Sequence, residues 1–148
     1  SARAMAAGMA VVKPLLVTAG VRERGTLLIG TVKEDLHDIG KNLVIALCEG
    51  AGFRVIDLGT NAAPEAFVAA VERHRPDVVG LSALLTTTMV HMQTTTALLK
   101  AKHPGLKVIV GGAPVTGKFA ADIGADGYGR DAADAVGELE RLIASPNP

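Results

Sequence analysis

Five times along the chain, a short apolar run is followed by a stretch of helical length. The runs are TLLIGTV (26–32), FRVIDLG (53–59), DVVGLSAL (77–84), LKVIVGG (106–112) and the short DGYGR (126–130). Between and after them come GKNLVIALCEGAG (40–52), a segment opened by Pro64, TTTMVHMQTTTALLKAK (86–102), PVTGKFAADIG (114–124) and DAADAVGELERLIA (131–144). Strand alternating with helix predicts an α/β domain, a five-stranded parallel sheet with helices on both faces. The near-continuous apolar character of the runs fits strands buried on both sides. Open sheets of this kind bind ligands beyond the carboxyl ends of their strands, where the strand order switches direction. The loops after strands one, three, four and five are therefore the ones to read for chemistry.

A chain of 148 residues holds one such core. With aromatics at 3% and no Trp, that core has to be aliphatic. Fifteen basic residues cancel fifteen acidic ones, which argues against a nucleic-acid or anionic-membrane footprint. No apolar run has the length of a membrane span. The single Cys, Cys48, excludes an internal disulfide and a Cys-based zinc or iron–sulfur site. It suits a reducing compartment, and a cytoplasmic location is expected. Met5, Met9, Val12 and Leu16 form one apolar stripe, which predicts a short helix over 1–17. Because the chain opens on Ser1 rather than Met, a fragment of a longer protein is expected. Residues 1–25 then read as a cap remnant and linker, and 26–148 as the domain.

The loop after strand one reads Lys33-Glu34-Asp35-Leu36-His37-Asp38-Ile39-Gly40. Asp35 and His37 are two apart, so in an extended loop both side chains can face one way. A carboxylate beside an imidazole fixes its tautomer and raises its basicity as a metal ligand. The plainer reading is a solvated loop with Asp38 capping the next helix. Strand three ends in Ser82, Leu84, Thr86 and Thr88, hydroxyl-rich residues that can line a polar pocket or simply cap a helix. Strand four ends in Gly111-Gly112-Ala113, where paired glycines allow a ligand close to the backbone or make a tight turn. His74, His91 and His103 fall in or at the ends of predicted helices and read as structural, and Cys48 as a small core residue.

Taken together, D-x-H-x-x-G (Asp35, His37, Gly40), S-x-L (Ser82, Leu84) and G-G (Gly111, Gly112), in order and each after a strand, resemble the cobalamin-binding domain. The resemblance covers about residues 26–145 and implies a Rossmann-like (flavodoxin-like) sheet. The wording DLHDIGKNLV, LSALLTTTM and GADGYGRDAADAV is most similar to the corrinoid proteins that serve methylamine, methanol or methoxy-aromatic methyltransferases; cobalamin-dependent methionine synthase is more distant. The resemblance implies His37 as lower axial ligand of cobalt, replacing the cofactor's own base ("base-off, His-on"). It implies Asp35 and Thr88 as a hydrogen-bonded relay behind His37. It implies a slot for the displaced nucleotide tail, lined by Ser82, Leu84, Gly111 and Gly112 with Tyr128 and Gly129 near its far end, and further cofactor contacts from Leu36, Asp38, Ile39, Gly40, Thr86 and Ala113. Met5 and Met9 resemble the last helix of the helical cap that precedes this domain in such proteins.

The expected function is a methyl carrier: a corrinoid subunit of a methyltransferase system rather than a self-sufficient enzyme. Its partners would be a methyl-donor methyltransferase, an acceptor methyltransferase and a corrinoid-reactivating protein, with self-association through residues 1–17. Competing readings are a cobalamin-dependent sensor or photoreceptor regulator, an isomerase accessory domain, and a phosphoacceptor response domain without cobalamin. The last needs an Asp at the end of strand three, where this chain has Ser82.

Overall fold

The structure, a computed structural model, describes residues 24–144. The expected helix over 1–17 lies outside them. In chain order the elements are β1 (Thr26–Thr31), α1 (Ile39–Gly50), β2 (Arg54–Asp57), α2 (Pro64–His74), β3 (Val78–Ser82), a single 3-10 turn (Thr86–Thr88), α3 (Met89–Lys102), β4 (Lys107–Gly111), α4 (Gly117–Asp122), β5 (Gly127–Gly129) and α5 (Ala132–Ala144). All five strands are parallel, in the order β2-β1-β3-β4-β5. The order reverses between β1 and β3, which puts the loops after those two strands at the switch point.

Strand pleating sorts the apolar residues into two cores. Leu28, Val79, Leu81, Val108 and Val110 face α2, α3 and α4, meeting Phe67, Met92, Leu99 and Ala120. Leu27, Ile29, Val78 and Ile109 face α1 and α5, meeting Cys48, Leu139 and Leu142. The second core is the smaller, and α1 covers it incompletely: Ile39, Leu43 and Leu47 are exposed on its four-residue repeat. Three departures from the sequence reading matter for the site. Strand three stops at Ser82 and the following helix starts only at Met89, because the 3-10 turn intervenes. Thr88 is buried and makes no cap bond to α3. Asp38 precedes α1 but also makes no side-chain cap bond. No helix among the described residues is long and apolar enough to cross a membrane.

Candidate functional site

The loop after β1 turns sharply, with the Asp35 N–H donating to the Val32 carbonyl at 3.1 Å. Glu34 and Asn61 both adopt the left-handed conformation (φ 68° and 53°) and interlock. The Glu34 N–H donates to Asn61 Oδ1 at 2.7 Å, and the Asn61 N–H to the Asp35 carbonyl at 2.9 Å. Asn accepts a left-handed backbone more readily than most residues, so its presence in the loop after β2 has a local cause.

This turn drives the Asp35 carboxylate into the protein, where it is fully buried. Oδ1 accepts the His37 N–H at 3.1 Å and lies 3.0 Å from His37 Nδ1. Oδ2 accepts the backbone N–H groups of Leu84 at 2.7 Å and Leu85 at 3.3 Å. The Thr88 hydroxyl is 2.7 Å from Oδ2 and 2.9 Å from the Leu85 carbonyl. Burial alone would raise the pKa of this carboxyl. The donors from Leu84, Thr88 and His37 outweigh it and hold the group well below the ordinary aspartate value. An ionised carboxylate only accepts, so Nδ1 carries the imidazole proton and Nε2 keeps its lone pair. The ring is half exposed, and Nε2 has no partner among the described residues. The geometry is that of an imidazole oriented to give one electron pair outward.

Beside His37, a cavity of about 590 Å³ opens at the carboxyl edge of the sheet and runs between α1 and α5. Its lining includes Leu36, His37, Asp38, Ile39, Gly40, Ser82, Leu84, Gly111, Gly112, Ala113 and Gly129, residues named above as expected cofactor contacts. Gly80 and Gly111, on β3 and β4, line it without a side chain, whereas a Cβ at Gly129 on β5 would meet Ala135 of α5 at 2.9 Å, so that glycine lets α5 lie close to the sheet. Gly80 was not singled out from the sequence, although a glycine inside a strand marks a close approach. Gly112 acts differently. Its φ is +134°, and a Cβ there would collide with the Ala83 carbonyl oxygen, so it serves the backbone of the rim.

Two expected residues are elsewhere. The Tyr128 ring packs with the α2–α4 core, and its hydroxyl donates to the Val115 carbonyl at 3.0 Å, on the sheet face opposite the cavity. Thr86 is exposed in the 3-10 turn and does not line the cavity. Conversely, Lys41 was missed. Its ammonium is buried at the start of α1, 2.9 and 3.0 Å from the Asp57 oxygens at the end of β2 and 2.8 Å from Asn42 Oδ1. Cys48 is buried as expected and also borders the cavity; burial pushes its thiol up to about 11. His91 lies 3.3 Å from Glu34 and His103 3.5 Å from Glu72, both structural contacts away from the cavity.

A parallel sheet with a 2-1-3-4-5 order and a slot at its switch point defines a flavodoxin-like cofactor-binding domain. Residues 25–137 match the B12 binding domain family, and the chain belongs to it. Its cofactor is accordingly a cobalamin. Trimethylamine corrinoid protein 2 of Methanosarcina acetivorans is 44% identical over 149 residues, covering 98% of this chain and 69% of that protein. A cobalamin-binding protein from Desulfitobacterium hafniense superimposes with a TM-score of 0.78 at 38% identity, covering 84% of this chain and 62% of that one. The methanol:cobalamin methyltransferase complex of Methanosarcina barkeri gives a TM-score of 0.80 at 33% identity, covering 85% of this chain and 49% of that one. The chain thus spans between half and about two thirds of the length of these relatives.

Proposed function

We propose that this chain carries a methyl group on a corrinoid held base-off, with His37 Nε2 as lower axial ligand, and passes it between a donor and an acceptor methyltransferase. The observation that carries the reading is the buried Asp35 carboxylate, bonded on one side to His37 and on the other to Leu84 and Thr88, at the mouth of an empty-walled slot. The donor set suits the cofactor. No group of three or more His, Cys, Asp or Glu among the described residues could hold a bare ion. A lone imidazole would supply one ligand to a metal whose other ligands come from elsewhere, as a corrin ring would provide them. Leu36 and Leu84, exposed and lining the same cavity as His37, would offer that macrocycle an apolar bed. The relatives' names speak of trimethylamine and methanol, which supports methyl carriage without fixing the donor.

When bound, the corrinoid supplies a cobalt that accepts and gives up a methyl group. Everything else falls to the protein. Asp35 holds the Nδ1 proton and so keeps Nε2 available. A His37 not engaged by a metal would be able to take a proton from solvent at Nε2, and Asp35 Oδ1, 3.0 Å from Nδ1, would stabilise the imidazolium. Thr88 and the Leu84 amide keep Asp35 ionised throughout. The slot between α1 and α5 receives the nucleotide tail. Residues 26–148 form the cobalamin-binding domain and 1–25 belong to the cap and linker, whose apolar stripe contributes to self-association or docking on a methyltransferase. A corrinoid-reactivating protein would be a third partner.

The test is spin resonance of bound cob(II)alamin. Protein labelled with ¹⁵N histidine should change the nitrogen splitting from a triplet to a doublet. A triplet unchanged by the label would assign the lower ligand to the cofactor's own base and overturn the reading.

A second expectation concerns the slot. In Gly80→Val, the new Cβ meets only side-chain atoms, Ile29 Cγ1 at 3.2 Å and Leu27 Cδ1 at 3.5 Å, next to open space. Valine also suits a strand interior. The variant should fold and bind cobalamin at least about tenfold more weakly, a loss on the order of 1.4 kcal/mol. Cobinamide, which has no tail, should bind as before. Equal losses for both ligands would place the tail elsewhere.

A further inference from the structure

We infer that the slot selects corrinoids by their lower base, taking a benzimidazole-type base over a purine. This rests on the tail lying in the slot, as proposed above. The strand register fixes what such a tail meets at each depth. Thr31, Ser82, Gly111 and Gly129 are aligned across the top of the sheet. Two residues lower come Ile29, Gly80 and Ile109, and two lower again Leu27, a descent of about 13 Å from the rim at ~3.3 Å per residue. The polar side chains bordering the slot, His37, Asp38, Ser82, Arg130 and Asp131, belong to the rim. Below it the walls are Leu27, Ile29, Ile109, Ala135 and Leu139, with the Cys48 thiol as the sole heteroatom that is not backbone or already paired. The strand amides and carbonyls are committed to the parallel ladder. The Lys41 ammonium, which also borders the slot, is engaged by Asp57 and Asn42.

A base pushed down this slot therefore has to do without hydrogen bonds. A benzimidazole brings one free ring nitrogen and an otherwise hydrocarbon surface. An adenine brings an exocyclic amine and three free ring nitrogens, each stripped of water and left without a partner. Buried polar groups without partners are costly, and burial of matched apolar surface is favourable. Adeninylcobamide should bind at least about tenfold more weakly than cobalamin, the effect of roughly one uncompensated polar group. Ligand chemistry works against this result, because a purine nitrogen is the weaker cobalt ligand and is displaced more easily. A preference for the benzimidazole can then come only from the slot.

The experiment titrates the purified chain with cobalamin, adeninylcobamide and cobinamide, following the absorbance change to equilibrium. The expected order is cobalamin tightest, with a ratio of tenfold or more over adeninylcobamide. A smaller ratio, with both still tighter than cobinamide, overturns the selectivity and leaves the tail in the slot. If cobinamide binds as tightly as cobalamin, the tail does not use the slot, and the inference falls together with that part of the proposed function.

Discussion

Replacing His37 by alanine should abolish the nitrogen splitting of bound cob(II)alamin while leaving the fold untouched. The imidazole is half exposed and contributes one contact among five to Asp35. The His37 backbone N–H, which also bonds Asp35, remains in the variant. Surface truncations of this kind usually change stability by within about 0.5 kcal/mol, so the thermal midpoint should hardly move. Affinity should drop about 10- to 100-fold, the range typical of losing support at a metal site. Added imidazole should restore the splitting, because the space vacated is that of an imidazole ring. A variant that keeps the protein-derived splitting would remove His37 from the coordination sphere.

The Asp35→Asn substitution should have the larger effect on the protein itself. An amide can satisfy only one of the two sides now served by the carboxylate. Its oxygen will stay with Leu84, Leu85 and Thr88, which present three donors. Its NH₂ then faces the His37 N–H, donor against donor, and Nδ1. Nδ1 must become an acceptor there, which moves the ring proton to Nε2 and withdraws the ligand lone pair. Loss of the charge-assisted bonds and the new mismatch should cost about 2–3 kcal/mol of stability at neutral pH. The pH dependence has a definite sign. The hydrogen bonds depress the Asp35 pKa below its ordinary 3.8, so the unfolded chain binds the proton first as pH falls. The stabilisation is whole above about pH 5 and declines below about pH 4. Urea unfolding at pH 7 and near pH 3 should show the gap between the two proteins shrinking in acid. An unchanged gap would mean that the carboxylate charge contributes nothing to the fold.

The sheet was legible because most strands lie in near-continuous apolar runs, and because helix-length segments separate the runs. Asp35 and His37 stand in the three motifs, and Thr88 was reached only through the family resemblance that those motifs and their order carry. Tyr128 was assigned to the wrong side for a definite reason. β5 has three residues, too few for the alternation of faces to be read from sequence, and both of its outer positions are glycine. The pleat turns Gly129 to the cavity and the Tyr128 ring away from it. Lys41 escaped notice because a lysine opening a helix normally reaches solvent. Only the adjacency of α1 to the end of β2 supplies Asp57 as its partner. The distinct duties of Gly80 and Gly112 were likewise hidden, since one makes room on a strand face and the other permits a backbone contact with Ala83.

The glycine-lined trough between α1 and α5 has a consequence for the life of the polypeptide. In most domains of this size that volume would be filled by side chains and would contribute to folding. With the nucleotide tail in the trough as proposed, a small molecule would fill it, and the stability that packing ordinarily supplies would become a function of ligand concentration, growing as RT ln(1 + [L]/Kd). A chain synthesised when the vitamin is scarce spends more time open to proteases than one synthesised in plenty. Differences of about 1–2 kcal/mol change cellular abundance several-fold. The quantity of this protein in a cell should therefore follow the supply of the vitamin, through turnover alone and without any change in transcription.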